Sequence, residues 1–126
     1  FNQCKELGGE QFIHIEQLDN ENKLLRSAYD GCEYFAMPSL VETPSIAALE
    51  AAVCGAKILI TENGSTSEYF EGYAEYVNPH DVRSISQAVN TVLNKDKTVD
   101  LSVHIAENFS ADIITSELLN VYLSIK

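Results

Sequence analysis

The stretch from Glu33 to Thr61, EYFAMPSLVETPSIAALEAAVCGAKILIT, contains two short apolar runs with a helical segment between them. Glu33–Met37 is compact and apolar and is closed by Pro38, which suits a buried strand. From about Pro44 to Cys54 the pattern is helical and rich in Ala and Leu, and Gly55 supplies a stop. Lys57–Thr61 is again apolar and β-branched, and Asn63-Gly64-Ser65 marks the loop that ends it. Short strands that are apolar on both sides, alternating with helices, belong to parallel sheets covered on both faces.

Working outward, the alternation continues. Phe12-Ile13-His14-Ile15-Glu16-Gln17 alternates with period two and reads as a further strand. Asp19-Asn20-Glu21 starts a helix whose apolar positions are Leu24, Leu25, Ala28 and Tyr29. Downstream, Ala74–Val77 is a strand ended by Asn78-Pro79. Asp81 caps a helix with Val82, Ile85, Val89, Val92 and Leu93 on one face. Lys95–Val99 is a polar connector, and a last helix begins near Ser110 with Ile113, Ile114, Leu118, Val121, Tyr122 and Ile125 on its apolar side. The expected fold is α/β, a Rossmann-like three-layer sandwich. Its sheet has at least four parallel strands, at Ile13–Ile15, Tyr34–Met37, Lys57–Ile60 and Glu75–Val77. Ligands of such sheets bind beyond the carboxyl ends of the strands.

At 126 residues the chain is one domain by size. It opens at Phe1 and not Met, so sequence ahead of it is expected to be absent. Nineteen acidic residues against eight basic ones give a net charge of −11. A nucleic-acid partner needs clustered Lys and Arg, and no cluster occurs here, so nucleic acid is excluded. No apolar run is long enough for a transmembrane segment. Cys4, Cys32 and Cys54 are odd in number and irregularly spaced, with no Cys/His metal pattern, so no metal site is expected. They read as reduced thiols of a cytoplasmic protein.

The unusual chemistry lies in Pro38-Ser39-Leu40-Val41-Glu42-Thr43-Pro44-Ser45-Ile46-Ala47-Ala48-Leu49-Glu50-Ala51. Thr43 reads as an N-cap and Pro44 as the first helical residue. The amides of Ser45, Ile46 and Ala47 would then be free at a helix start, where the helix dipole favours an anion such as a diphosphate. Glu42 and Glu50 bracket that seat at about 10 Å, and each carboxylate can accept from a sugar or ribose diol. Spacing alone leaves the pair open to chance in so acidic a chain, and Glu42 open to a plain electrostatic role at the helix start. A Glu inside so apolar a helix, however, calls for a partner.

The pair Glu42…Glu50, preceded by Pro38-Ser39 and followed by Ala51-Ala52…Gly55, resembles the E-x7-E segment of the family-4 retaining glycosyltransferases. Leu25…Tyr29…Phe35, Asn63-Gly64-Ser65-Thr66-Ser67-Glu68, Asn78-Pro79-His80-Asp81 and Phe109-Ser110 are similar to further landmarks of that family in the same order. The resemblance spans about residues 11–126. It implies that residues 1–126 are the nucleotide-sugar-binding C-terminal half of a GT-B fold. It further implies sugar transfer from a nucleotide-sugar donor to a glycan, lipid or saccharide acceptor, with retention and without a metal cofactor. Glu42, the catalytic candidate, would contact the donor sugar and Glu50 the ribose. Ser39, Thr43, Ser45 and Ile46 would line the sugar and phosphate, and Glu16, Gln17 and Leu18 would lie near the base. The acceptor would be bound by an N-terminal domain outside this sequence, as would any contact with the inner face of a membrane. Nothing before Glu10 matches the family's Arg/Lys-bearing glycine loop, so the chain alone is expected to be inactive. Thr43-Pro44-Ser45 replaces the family's common x-F-G, and Ala47 its Pro, which leaves donor choice open.

A dinucleotide-binding module would need GxGxxG, which is absent. A hydrolase would need a nucleophile elbow beside His14, His80 or His104, and none is present. The remaining alternative from another class is a non-catalytic Rossmann-like regulatory or interaction domain.

Overall fold

The computed structural model describes residues 1–96 and 98–125. Helix α1 (Asn2–Gly8) and a 3-10 turn (Gly9–Gln11) are followed by α2 (Lys23–Asp30), β1 (Tyr34–Met37), α3 (Ile46–Val53) and β2 (Lys57–Thr61). Then come α4 (Ser67–Phe70), β3 (Glu75–Val77), α5 (Val82–Asn94), α6 (Asp100–Phe109) and α7 (Ala111–Ser124). The strands form one parallel sheet in the order β1-β2-β3, with Tyr34 opposite Lys57 and Leu59 opposite Glu75. The α/β class and the parallel sheet are as the sequence indicates.

Strand β2 is central, and its alternation builds both cores. Ile58 and Ile60 face Ala48, Ala51 and Ala52 of α3, Phe70 of α4, and Leu101 and Ile105 of α6. Leu59 faces the other way, with Val77, against Ala88 and Val92 of α5. Helices therefore cover both faces of β2. On the second face β1 is less well covered, and Tyr34 remains 43% exposed. Ala48, Ala51 and Ala52 recur at i, i+3 and i+4 and are fully buried, so α3 sits close to the sheet on an all-alanine face. Its end is a Schellman motif: Gly55 at φ 85° donates to the Ala52 carbonyl, and Ala56 to that of Ala51.

Three expectations are overturned. The sheet has three strands among the described residues, because residues 12–18 do not pair as a strand. Ile13 and Ile15 are 79% and 58% exposed, so their shared face finds no cover. Phe12 and His14, on the opposite face, instead pack against Phe1, with ring centroids 6.1 and 4.7 Å away. The helix expected at Pro44 starts at Ile46 with Ser45 as N-cap, and Thr43 and Pro44 lie outside it. Extended backbone at Glu42, which bridges to Gly64, postpones the turn into the helix. Finally, the connector after α5 leads into α6, a helix not anticipated from the sequence although Leu101, Ile105 and Phe109 recur at i+4.

The outer helices are unevenly packed. On α5 the buried face is Ala88 and Val92, with Ile85 and Val89 beside them, whereas Val82 is 80% exposed. Helix α7 packs against α6 but has no buried residue. Its apolar side is therefore open, contrary to the usual fate of such a stripe. The accessible surface is 9379 Å², against about 6,700 Å² for a compact monomer of this mass.

Lys57 locks β2 to α5. Its ammonium donates to the carbonyls of Val92 (3.0 Å) and Lys95 (2.9 Å) and to Glu33 Oε1 (3.1 Å). All three protons are thus used, and the charge sits at the negative end of the α5 dipole. With its side chain only 13% exposed, Lys57→Met should lower stability by about 2–3 kcal/mol in urea unfolding. Glu33 is 65% exposed, and Glu33→Gln should cost less than about 1 kcal/mol in the same assay.

Candidate functional site

At the carboxyl edge of the sheet, the loop after β1 (38–45) and the loop after β2 (62–66) are joined into one lip. Glu42 N–H donates to the Asn63 carbonyl (3.0 Å), and Ser65 N–H donates to the Glu42 carbonyl (3.1 Å). Asn63 Nδ2 donates to the Leu40 carbonyl (3.1 Å). The lip is anchored below by Thr66, fully buried, whose hydroxyl donates to the Thr61 carbonyl (2.7 Å).

Helix α3 begins at this lip. Ser45 is 5% exposed; its hydroxyl donates to Met37 Sδ (2.9 Å) and accepts from Ala48 N–H (3.4 Å). This side chain is committed to the cap, so what it leaves for a ligand is the helix start itself. The amides of Ile46 and Ala47 have no acceptor among the described residues. Ile46 is 68% exposed, Ser39 and Glu42 are half-buried, and Thr43 is exposed. The lip and the first turn of α3 thus gather Ser39, Glu42, Thr43, Ser45 and Ile46 in one region.

Glu50 has a different setting. It is exposed, on the outward side of α3 with Ile46 and Val53, so the expectation of a charge enclosed in an apolar helix does not hold. It lines a groove of about 500 Å³ between α2, α3 and the end of α6, together with Tyr29, Arg26 and Cys54. Glu42 is not among the groove's lining residues. Burial, then the neighbouring Glu50 carboxylate, pushes the Tyr29 phenol above its ordinary value. Burial and the Asp30 carboxylate push the Cys54 thiol up as well, with Arg26 opposing. Sequence reading gave Arg26 no role; its helical spacing places it beside Tyr29, but only packing sets α2 against α3. Glu16 and Gln17 are exposed and Leu18 half-buried, in the segment that is not a strand.

A second cavity, about 370 Å³, lies at the opposite edge of the sheet beside Lys57 and Lys95. Both of these cations are engaged, Lys57 as above and Lys95 with Glu75, so among the described residues neither is free for an anionic ligand. No described helix is long and apolar enough to cross a membrane. Among the described residues no group of three or more His, Cys, Asp or Glu side chains is placed to hold a metal ion.

Comparison with known families bears on the function class of the chain. The family described as Glycosyl transferases group 1 matches residues 2–109. The chain belongs to the group 1 glycosyltransferases. Neither the curated proteins nor the solved structures compared gave a match. Membership makes the protein a sugar-transferring enzyme with a sugar donor and an acceptor, and disfavours a non-catalytic role. The matched span of this glycosyltransferase takes in α1, ahead of where the motif resemblance begins, and stops before α7.

The groove makes one prediction about this glycosyltransferase. Cys54 should react with iodoacetamide at pH 8 more slowly than an unhindered thiol such as glutathione, because its thiolate is suppressed. Asp30→Ala removes the carboxylate that, after burial, contributes most to that suppression and should speed alkylation of Cys54 several-fold, as read by peptide mass spectrometry.

Proposed function

We propose that residues 1–126 form the nucleotide-sugar-binding half of a retaining, family-4-type glycosyltransferase with a GT-B architecture. The observation that carries this reading is Glu42, held in the lip beside the free amides of the α3 start. The arrangement combines an anion seat with a diol acceptor at the edge where parallel sheets bind ligands. In the reaction the anomeric carbon–phosphate oxygen bond breaks and a bond to an acceptor hydroxyl oxygen forms. The nucleoside diphosphate departs with the electron pair, and the acceptor proton is released.

Glu42 contacts hydroxyls of the donor sugar, and its charge is felt most as positive charge develops on the sugar ring. The amides of Ile46 and Ala47 meet the diphosphate. Glu50, at the groove on the outer side of α3, accepts from the ribose hydroxyls, and Glu16, Gln17 and Leu18 lie toward the base. The leaving group is stabilised by amides and cationic side chains, without a metal. The acceptor, a glycan, lipid or saccharide, is held by an N-terminal domain beyond this sequence, and the enzyme works in the cytoplasm. Support for these finer assignments comes from the ordered motif matches and from the placement of the Ser39–Ile46 segment at one edge.

Two isosteric substitutions in the full-length enzyme test the assignment. Glu42→Gln should lower the transfer rate by about ten- to a hundredfold, the loss of about 1.5–3 kcal/mol in charged hydrogen bonds. Glu50→Gln should act mainly on nucleotide affinity, measured by titration with UDP, GDP and ADP. Wild-type turnover in both variants would remove the Glu pair from the mechanism.

A further inference from the structure

We propose that Asn63 and Gly64, on the loop after β2, are positioning residues for Glu42; the proposal rests on the donor-sugar role of Glu42 given above. The reason lies in what does and does not hold Glu42. On its own loop, Leu40 and Val41 are 62% and 65% exposed and Thr43 and Pro44 are exposed, so little packing fixes the backbone there. What holds it comes from the neighbouring loop. The two bonds of the bridge grip the Glu42 peptide from both sides, through its N–H to Asn63 and its carbonyl from Ser65. The Asn63 side chain holds the same strand of chain two residues earlier, at the Leu40 carbonyl.

Gly64 is what lets the two loops approach so closely. A Cβ built there would lie 1.9 Å from the Glu42 carbonyl oxygen and 3.2 Å from its nitrogen. The φ of Gly64 is 110°, a conformation that side-chain-bearing residues rarely adopt. Any side chain at position 64 must therefore push the Glu42 backbone away, and the obstacle is a carbonyl that cannot rotate aside. The gripping loop is itself referenced to the driest part of the molecule. Asn63 N–H donates to Thr61 Oγ1 (3.3 Å) and Thr66 to the Thr61 carbonyl, and Thr61 and Thr66 are both fully buried. Glu42 thus takes its position from β2, across the sheet edge, and not from its own flexible-looking neighbours in sequence. Neither Asn63 nor Gly64 needs to touch the donor for this to matter. A carboxylate that meets sugar hydroxyls in the transition state loses its effect when displaced by a fraction of a hydrogen-bond length.

The test uses the full-length enzyme with UDP-glucose, UDP-N-acetylglucosamine and GDP-mannose as donor probes, following hydrolysis and transfer with the one the wild type turns over. Gly64→Ala should lower kcat by up to as much as Glu42→Gln does, roughly ten- to a hundredfold, and Asn63→Ala, which removes one bond and leaves the bridge, by about tenfold or less. Affinity for the free nucleoside diphosphate should stay within about twofold in both, which general loss of fold would not allow. The double variant Gly64→Ala/Glu42→Gln should be no slower than Glu42→Gln alone, since the positioned carboxylate is already gone. If the Gly64 and Glu42 effects multiply, Gly64 acts on something else and the proposal falls. It falls too if Asn63→Ala and Gly64→Ala keep wild-type kcat while Glu42→Gln loses it, and the donor role of Glu42 then stands. Wild-type turnover by Glu42→Gln would instead overturn the donor reading on which this one rests. Should Gly64→Ala fail to fold, Asn63→Ala and its double variant with Glu42→Gln decide the matter by the same criteria.

Discussion

Strand β2 must be dry on both faces and paired along both edges, and the rest of the molecule is arranged to satisfy that demand. Five residues, Lys57–Thr61, supply a backbone ladder to β1 and to β3. Ile58 and Ile60 nucleate the core under α3 and α6, and Leu59 the core under α5. A strand with both faces apolar gains only when helices cover both. The fully buried alanines of α3 give that cover at close range, because a helix face without long side chains can approach the sheet closely. At one end of β2 the Lys57 ammonium fixes the strand to the end of α5. At the other end Thr61 and Thr66 turn the chain into the lip of the candidate site.

The candidate site inherits its precision from this strand. Catalytic edges of parallel sheets carry irregular loops, which are poor at holding a carboxylate in place unless they are tied to something rigid. Here the tie runs from buried Thr61 through the loop 62–66 to the Glu42 backbone, so a residue on one loop is fixed by its neighbour. The helix start next to it is capped by Ser45, which faces inward to Met37 and leaves two amides outward. The positive end of the α3 dipole and the Glu42 carboxylate thus belong to one lip, and on the reading proposed above they would meet a diphosphate and sugar hydroxyls.

Surface is distributed unevenly. The core faces of α3, α5 and β2 are closed, while α7 and residues 12–18 carry apolar side chains in the open, from 39% exposed at Ile113 to 79% at Ile13. Both segments show a clear apolar pattern in sequence, and among the described residues neither pattern is buried. Periodicity states which side chains belong together on a face; it does not supply the surface that covers them.

The sequence by itself determined the α/β class, the parallel β1-α3-β2 unit, the bounds of β1 and β3, the Asp81 cap of α5 and the Gly55 stop of α3. These are local matters: strand and helix periods, a cap that bonds two residues ahead, a left-handed glycine. It also singled out Glu42 and Glu50, since carboxylates are conspicuous in so apolar a segment. Tertiary structure decided what depends on distant partners. It moved the α3 cap from Thr43 to Ser45, because Glu42 is drawn into an extended bridge by a loop more than twenty residues away. It left residues 12–18 without a strand partner, because Phe12 and His14 found Phe1 and the Ile13/Ile15 face found no cover. It set Glu50 at a groove with Tyr29 and Arg26, and it turned Asn63-Gly64, legible in the sequence only as a loop, into the grip on Glu42. Local backbone preferences can be read from neighbours in the chain, whereas the close approach of two loops exists only once the sheet between them has formed.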